Sequence, residues 1–202
     1  MEGGQAQGVA ADVKHFAANN QETLRQGIDE QISERALREI YLPGFEAAVK
    51  EGGAATVMSA YNSINGVPCA QNRWLLTDVL KREWGFDGQV VSDWGAVYDQ
   101  AEALRAGNDM DMPGPRGKQQ LYEAVERGEI SMERIDDAAA RMLRTILKTP
   151  KYTGKQFTHI DDAFSQRTAY CAAAEGITLL KNDGVLPLAG QTRLAVLGRL
   201  SE

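Results

Sequence analysis

Residues 84–97 read WGFDGQVVSDWGAV and contain a short run centred on Val90 and Val91 that ends just before Asp93. Glycines stand close to this run on both sides, and helical spacing of apolar residues begins near Ala96. A short apolar run between turn residues, followed by a helix, is typical of a buried parallel strand in a βα unit. The stretch therefore predicts a strand at 89–92 with Asp93 at its carboxyl end.

The same alternation recurs along the chain. Further strands are predicted at residues 9–16, 55–61 and 108–112. Helices are predicted at 37–52, broken or restarted at Pro43, at 72–85 with Asn72 as N-cap, and at 96–105 ending at Gly107. Strands separated by helices of this length favour an α/β fold with a parallel sheet.

The remaining residues are helical and then irregular. Helices are predicted at 119–127 and 131–147, and residues 149–164, which contain Pro150 and Gly154, have the character of an interdomain linker. A helix at 166–176, a strand at 177–180, a turn at 182–184 and a strand at 193–198 follow.

Length constrains how these elements assemble. A closed (β/α)8 barrel takes about 250 residues, whereas four βα-like units here occupy residues 1–148. We therefore expect the C-terminal half of such a barrel, then the linker, then at 165–202 the first elements of a second α/β domain. Open strand edges would be left unpaired, which predicts self-association through them.

Composition excludes several classes of partner. The chain has 28 acidic and 22 basic residues, a net charge of −6, and no basic cluster longer than two residues. This argues against a nucleic-acid or anionic-membrane surface. No apolar run approaches the length of a membrane span. The first residues, MEGGQAQG, lack the regions of a signal peptide.

Asp93 is the strongest candidate for chemistry. Parallel α/β folds place reacting groups at the carboxyl ends of strands. A carboxylate there, beside Trp94 and Gly95, suits a nucleophile or a general base. The alternative is that Asp93 caps the helix predicted to start near Ala96.

Lys14 and His15 end the first predicted strand. The pair could bind sugar hydroxyls or phosphate oxygens, or act as a Schiff-base lysine and a general base. Neighbouring strand residues face opposite ways, so both can line one pocket only where the strand is ending. A plain structural role is the alternative.

Three weaker candidates remain. Tyr61, at the end of the second strand, could donate a hydrogen bond in a pocket or be a rim aromatic. Asp109 and Asp111 share one face of the predicted strand 108–112, but with no His or further acid nearby no metal is expected. His159 falls in the predicted linker and is expected to be solvated.

Five segments, taken in order, are more specific than any single residue. They are KHF at 14–16 with NNQETLR at 19–25, MSAYNSINGVP at 58–68, WGFDGQVVSDWGAV at 84–97, AGNDMDMPG at 106–114 and EGITLLKNDGVLPL at 175–188. This series resembles glycoside hydrolase family 3, and its bacterial β-glucosidases in particular. The resemblance implies a barrel domain followed by an α/β sandwich domain, which LLKNDGVLPL would begin.

The resemblance also implies roles. Asp93 matches the nucleophile of a retaining mechanism, which forms a covalent glycosyl-enzyme. Lys14 and His15 match residues that bind the sugar in the −1 subsite, Tyr61 matches a tyrosine near the nucleophile, and Trp94 matches the aromatic that flanks the sugar. The substrate implied is a β-glucoside or oligosaccharide, with no cofactor.

The family's general acid/base is a Glu from the second domain, beyond this segment, and Glu175 is not assigned that role. The isolated chain is therefore expected to be inactive. The alternatives left open are a β-xylosidase or exo-β-glucanase of the same family, a non-catalytic carbohydrate-binding fragment, and a Schiff-base lyase that uses Lys14.

Overall fold

The computed structural model describes residues 1–114, 117–154, 161–190 and 193–198. Contacts divide the chain into two units, Met1–Gln156 and Phe157–Glu202. Its helices and strands in chain order are α1 (Glu2–Ala6), β1 (Asp12–Phe16), β2 (Asp29–Glu30), α2 (Glu34–Ala36), a π-helical turn (Leu37–Tyr41), α3 (Pro43–Lys50), β3 (Thr56–Ser59), β4 (Ser63–Ile64), β5 (Val67–Pro68), a 3-10 turn (Cys69–Gln71), a π-helical segment (Trp74–Glu83), β6 (Gln89–Ser92), α4 (Gln100–Ala106), α5 (Lys118–Glu126), α6 (Met132–Leu147), α7 (Pro150–Thr153) and α8 (Asp162–Gly176).

A three-stranded parallel sheet forms the centre of the first unit. Its order is β1-β3-β6, so β3 pairs with both neighbours. Val57 on β3 and Val90 on β6 are paired and fully buried. They pack in one core with Phe16, Leu75 and leucines and aromatics from the helices. The α/β fold with a parallel sheet predicted from the sequence is confirmed.

The fourth predicted strand, 108–112, is wrong as a full strand. It is reduced to one parallel bridge between Val91 and Met110. The physical reason is that the N–H of Val90 donates to the Asp109 carboxylate at 2.8 Å. In a full strand pair this N–H would donate to a main-chain carbonyl of the neighbouring strand.

Helix ends largely follow their predicted signals. Asn72 caps the segment after it, with the N–H of Leu75 donating to its side chain, and Pro43 begins α3. The helix predicted from Ala96 begins instead at Gln100, because the Asp99 side chain accepts the N–H of Glu102. Asp93 is therefore not the cap of that helix. Gly107 ends α4 with φ of 115°, a conformation that glycine adopts without strain.

The second unit contains the predicted helix as α8 and the predicted turn, where the Asn182 side chain accepts the N–H of Gly184. Residues 177–180 and 193–198 lie within the described part of the chain and form no strand there, so both strand predictions are wrong. A strand is completed by hydrogen bonds to a partner strand, which an apolar sequence pattern cannot supply by itself. His159 falls outside the described residues.

A small second sheet of β2, β4 and β5 also lies within the first unit. Among the described helices, none combines the length and the apolar character needed to cross a membrane.

Two arginines of α6 bind the chain just before β6 and the segment that lies beside β6. Arg141 donates to the carbonyls of Phe86 and Gly88, both at 2.9 Å, just before the strand. Arg134 donates to the carbonyl of Asn108 at 3.2 Å and to the Asp109 carboxylate at 2.6 Å, in the chain that pairs with the strand. Guanidinium groups suit this role because they present several N–H donors in a fixed plane.

Asp109 is the centre of a buried ion cluster. Its side chain has no exposed surface, and it accepts from Lys81 at 2.7 Å as well as from Arg134. Burial lowers the pKa of Lys81 to about 8, although the Asp109 carboxylate opposes that change. The cluster links the π-helical segment, β6 and α6 through one carboxylate.

We expect Asp109→Ala to lower the free energy of unfolding by about 3–5 kcal/mol, because it leaves buried cations without their carboxylate. Urea unfolding at pH 7 measures this. The control is Glu39→Ala, which removes an exposed ion pair with Arg35 and should cost no more than about 0.5 kcal/mol. Equal effects of the two substitutions would contradict the cluster's role.

Candidate active site

The carboxyl ends of three neighbouring parallel strands meet at one edge of the sheet. Main-chain hydrogen bonds continue past the strands there: the N–H of Ala60 donates to Phe16 at 2.8 Å, and the N–H of Asp93 donates to Ser59 at 3.1 Å. The residues that follow β1, β3 and β6 are therefore held side by side. This edge is where α/β folds place their reacting groups.

Asp93 has a defined partner on each carboxylate oxygen. Oδ2 lies 3.2 Å from Nε2 of His15, and Oδ1 accepts the N–H of Trp94 at 2.7 Å. The Asp93 side chain is 13% exposed and that of His15 is 28% exposed. The carboxylate is thus oriented from two sides but still reachable by a small molecule.

Lys14 and His15, at the end of β1, differ in exposure and in contacts. His15 contacts Asp93, whereas Lys14 is exposed and forms no ion pair within the described residues. The pairing of β1 with β3 is irregular between Val13 and Phe16, as expected where a strand is ending. Burial raises the pKa of the nearby Asp12 carboxyl, and Lys14 and His15 oppose that rise.

The exposure of Lys14 bears on the Schiff-base alternative. Lysines that form Schiff bases are commonly activated by desolvation in an apolar pocket. Lys14 has no such pocket, so its environment gives the lyase hypothesis no support.

Tyr61 lies beside the carboxylate. It is 6% exposed, and its hydroxyl donates to the carbonyl of Trp94 at 2.8 Å. Burial raises the pKa of Tyr61, and the neighbouring negative charge of Asp93 raises it further. Trp94 itself is 60% exposed. Its ring therefore offers an accessible apolar face next to Asp93.

Arg25, the last residue of NNQETLR, also lies at this edge, although its position in the sequence does not indicate a role there. Its guanidinium lies 4.8 Å from the centre of the Tyr61 ring, within cation–π range. Asn62, fully buried, also contributes by donating to the carbonyl of Ala17 at 3.2 Å, which ties the end of β3 to the end of β1. Nothing in the spacing of these residues along the chain indicates these contacts.

Asp109 and Asp111 bind residues other than His15, Tyr61 and Asp93. Asp109 belongs to the buried ion cluster, and Asp111 accepts from Gln100 at 2.5 Å and from the hydroxyl of Ser92 at 3.3 Å. Across the described residues, no three His, Cys, Asp or Glu side chains are grouped to hold a metal ion.

The chain is similar to known proteins in sequence and in structure. Residues 1–145 match the model of the glycosyl hydrolase family 3 N terminal domain. The chain is 48% identical over 189 residues to an exo-α-(1→6)-L-arabinopyranosidase of Bifidobacterium longum, covering 93% of this chain and 25% of that protein. It is 46% identical over 201 residues to the thermostable β-glucosidase B of Acetivibrio thermocellus, covering 98% of this chain and 26% of that protein.

A solved structure is also similar. β-Glucosidase 3B from Thermotoga neapolitana in complex with glucose superimposes with a TM-score of 0.79 and 44% identity, over 93% of this chain and 28% of that one. The chain thus spans about a quarter of the length of the relatives it matches. The match to the family model covers well over half of the sequence, and the chain belongs to glycosyl hydrolase family 3.

Proposed function

We propose that this chain is the part of a retaining β-glucosidase that carries its nucleophile, Asp93. The observation that carries the proposal is the Asp93 carboxylate at a strand end, with His15 on one oxygen and the Trp94 N–H on the other. Partners on both oxygens aim such a group, as a nucleophile requires. The relatives named β-glucosidase support the same reaction class.

In the proposed reaction, Asp93 attacks the anomeric carbon of a terminal β-glucosyl unit while the bond to the leaving oxygen breaks. The leaving oxygen takes a proton from a general acid, which we expect beyond the residues of this chain. The same group, now deprotonated, takes a proton from water as the water oxygen attacks the anomeric carbon, which releases glucose and returns Asp93 as a carboxylate. Without the acid, we expect the isolated chain to be inactive on ordinary glucosides.

The surrounding residues have separate tasks in this proposal. Lys14 and His15 donate hydrogen bonds to sugar hydroxyls, and His15 also orients Asp93. The exposed ring of Trp94 offers an apolar face to the C–H side of the pyranose. Tyr61 holds the main chain of Trp94 through its hydroxyl.

The exposure of the sheet supports the architecture that we propose for the whole enzyme. Helix residues bury one face of β3 and β6 through Val57 and Val90, whereas Met58 and Val91 on the other face remain partly exposed. This supports residues 1–148 as the C-terminal half of a (β/α)8 barrel. Residues 149–164 would then be the linker, and 165–202 the start of the sandwich domain.

A second substrate class has a specific observation in its favour. The B. longum relative, at 48% identity, is named an arabinopyranosidase. The two substrates differ at C5, where glucose carries a hydroxymethyl group, and in the configuration of the hydroxyl at C4. Comparing the rates with activated aryl β-D-glucoside and aryl α-L-arabinopyranoside distinguishes the two. Faster reaction of the arabinoside would replace our assignment of the sugar while retaining Asp93.

We expect a 2,4-dinitrophenyl 2-deoxy-2-fluoro-β-D-glucoside to label Asp93 covalently in this chain, because its leaving group departs without an acid. Intact-mass and peptide mass spectrometry measure the adduct. Asp93→Asn should abolish labelling, since an amide is a poor nucleophile.

The matched control for that experiment is Asp111→Asn, which changes a carboxylate that contacts Ser92 and Gln100 rather than His15. It should leave labelling within about twofold. An adduct on another residue, or none where the T. neapolitana enzyme is labelled, would contradict the proposal.

The Tyr61 hydroxyl should ionise at lower pH in Asp93→Asn than in the parent chain, because the negative charge that raises its pKa has been removed. The difference in absorbance at 295 nm between each protein and its Tyr61→Phe derivative isolates this titration. An unchanged Tyr61 titration would show that Asp93 does not act on the hydroxyl.

The isolated chain should associate with a second copy of itself through the sheet edge at Met110, where one bridge replaces a strand. Sedimentation velocity over a hundredfold range of concentration tests this. A monomer throughout that range, with a sharp melting transition independent of concentration, would contradict the half-barrel assignment.

A further inference from the structure

Tyr98 lies outside the proposed set of sugar-binding residues, but it contacts the main chain of Tyr61 and has a fixed backbone. It stands between β6 and α4. Its own N–H and that of Asp99 both donate to the side-chain oxygen of Gln71, at 3.1 and 3.0 Å. Asp99 in turn caps α4. The Gln71 side chain and the cap of α4 therefore both hold the backbone from which the Tyr98 ring projects.

The Tyr98 hydroxyl joins the loops that follow β1 and β3. It donates to the carbonyl of Gln26 at 2.7 Å, and it lies 3.3 Å from the carbonyl of Tyr61. A hydroxyl has one proton, so the shorter contact is the main hydrogen bond. The hydroxyl of a tyrosine is protonated at neutral pH, so it can serve as this donor. One side chain thus contacts both segments that carry the Arg25–Tyr61 pair.

The turn at residues 23–27 depends on such a contact. Leu24 at its tip is 82% exposed and buries little apolar surface. Local bonds shape the turn, including Gly27 N–H to Leu24 at 2.7 Å and Arg25 to Glu22 at 2.8 Å. These set its conformation but do not fix its position beside Tyr61. Within the turn, the hydrogen bond from Tyr98 and the packing of Arg25 on Tyr61 do that, and just after it the carbonyl of Ile28 accepts the N–H of Ser63 at 2.9 Å.

We propose that Tyr98 is a positioning residue: its hydroxyl holds the 23–27 turn so that Arg25 stays over Tyr61 beside Asp93. The inference rests on the proposed function, because it assumes that this edge binds the sugar. Tyr98 would then affect the affinity for the sugar through Arg25, without contacting the sugar itself. Removing the hydroxyl should weaken binding more than it slows attack by Asp93, whose own contacts to His15 and Trp94 are unchanged.

The first test reads the turn directly and does not depend on any reaction. Tyr98→Phe should speed amide hydrogen exchange in a peptide covering residues 21–28 by about two- to tenfold, the range expected for losing one hydrogen bond. The matched control is Tyr122→Phe, because Tyr122 is 54% exposed, close to the 52% of Tyr98, but lies on α5. It should leave exchange in that peptide unchanged.

The second test measures labelling by the fluoroglucoside as a function of its concentration. In Tyr98→Phe the half-saturating concentration should rise about two- to tenfold, while the limiting rate changes by less than about twofold. In the Arg25→Ala background, Tyr98→Phe should have no further effect on half-saturation, because Tyr98 acts through Arg25. A residue needed merely for folding would lower the amount of reactive protein and show no such coupling.

The outcomes separate the two proposals. Unchanged exchange at 21–28 overturns the positioning role, whatever the labelling shows. Faster exchange with unchanged half-saturation, or additive effects of Tyr98→Phe and Arg25→Ala, overturns the link to the sugar. Absence of any Asp93 adduct in the parent chain counts against the proposed function, and with it the sugar-binding part of this inference. The exchange experiment still decides whether Tyr98 holds the turn.

Discussion

The parallel pairing of β3 with both β1 and β6 is the constraint on which the site depends. Because the three strands run the same way, their carboxyl ends fall at one edge. His15, Tyr61 and Asp93 are distant in sequence but become neighbours through that register alone. A shift of one residue in β3 would turn Val57 away from the core, so burial of apolar side chains fixes the register. The chemistry of the edge is thus a consequence of core packing.

Polar side chains then refine what the sheet brings together. His15 and the Trp94 N–H orient the Asp93 carboxylate, and Tyr61 holds the backbone of Trp94. Behind them, Asn62 and Tyr98 connect the loops that follow the strands. Most of these contacts use main-chain carbonyls or N–H groups as partners. The arrangement therefore depends on loop conformation as much as on the identity of the side chains at this edge.

The sequence was sufficient for the strands β1, β3 and β6 and for the position of Asp93 at a strand end, because apolar periodicity is a local signal. It was insufficient for the fourth strand, since the Asp109 side chain takes the N–H of Val90, a contact that exists only after folding. The strands predicted at 177–180 and 193–198 failed for a related reason, because pairing is a property of two segments. Arg25 went unassigned because its partner, the Tyr61 ring, lies far along the chain.

The arginines of α6 have a consequence for the order in which the molecule can form. Arg134 and Arg141 brace β6 and the chain paired with it. Both belong to α6, which the ribosome synthesises about forty residues after β6. During synthesis on the ribosome, Asp93 would emerge while its strand still lacks these braces. The strand that carries Asp93 would gain both braces only when α6 has left the exit tunnel and docked. A chain halted before residue 141 would contain every proposed sugar-binding residue but would lack the hydrogen bonds from Arg141 at the start of β6.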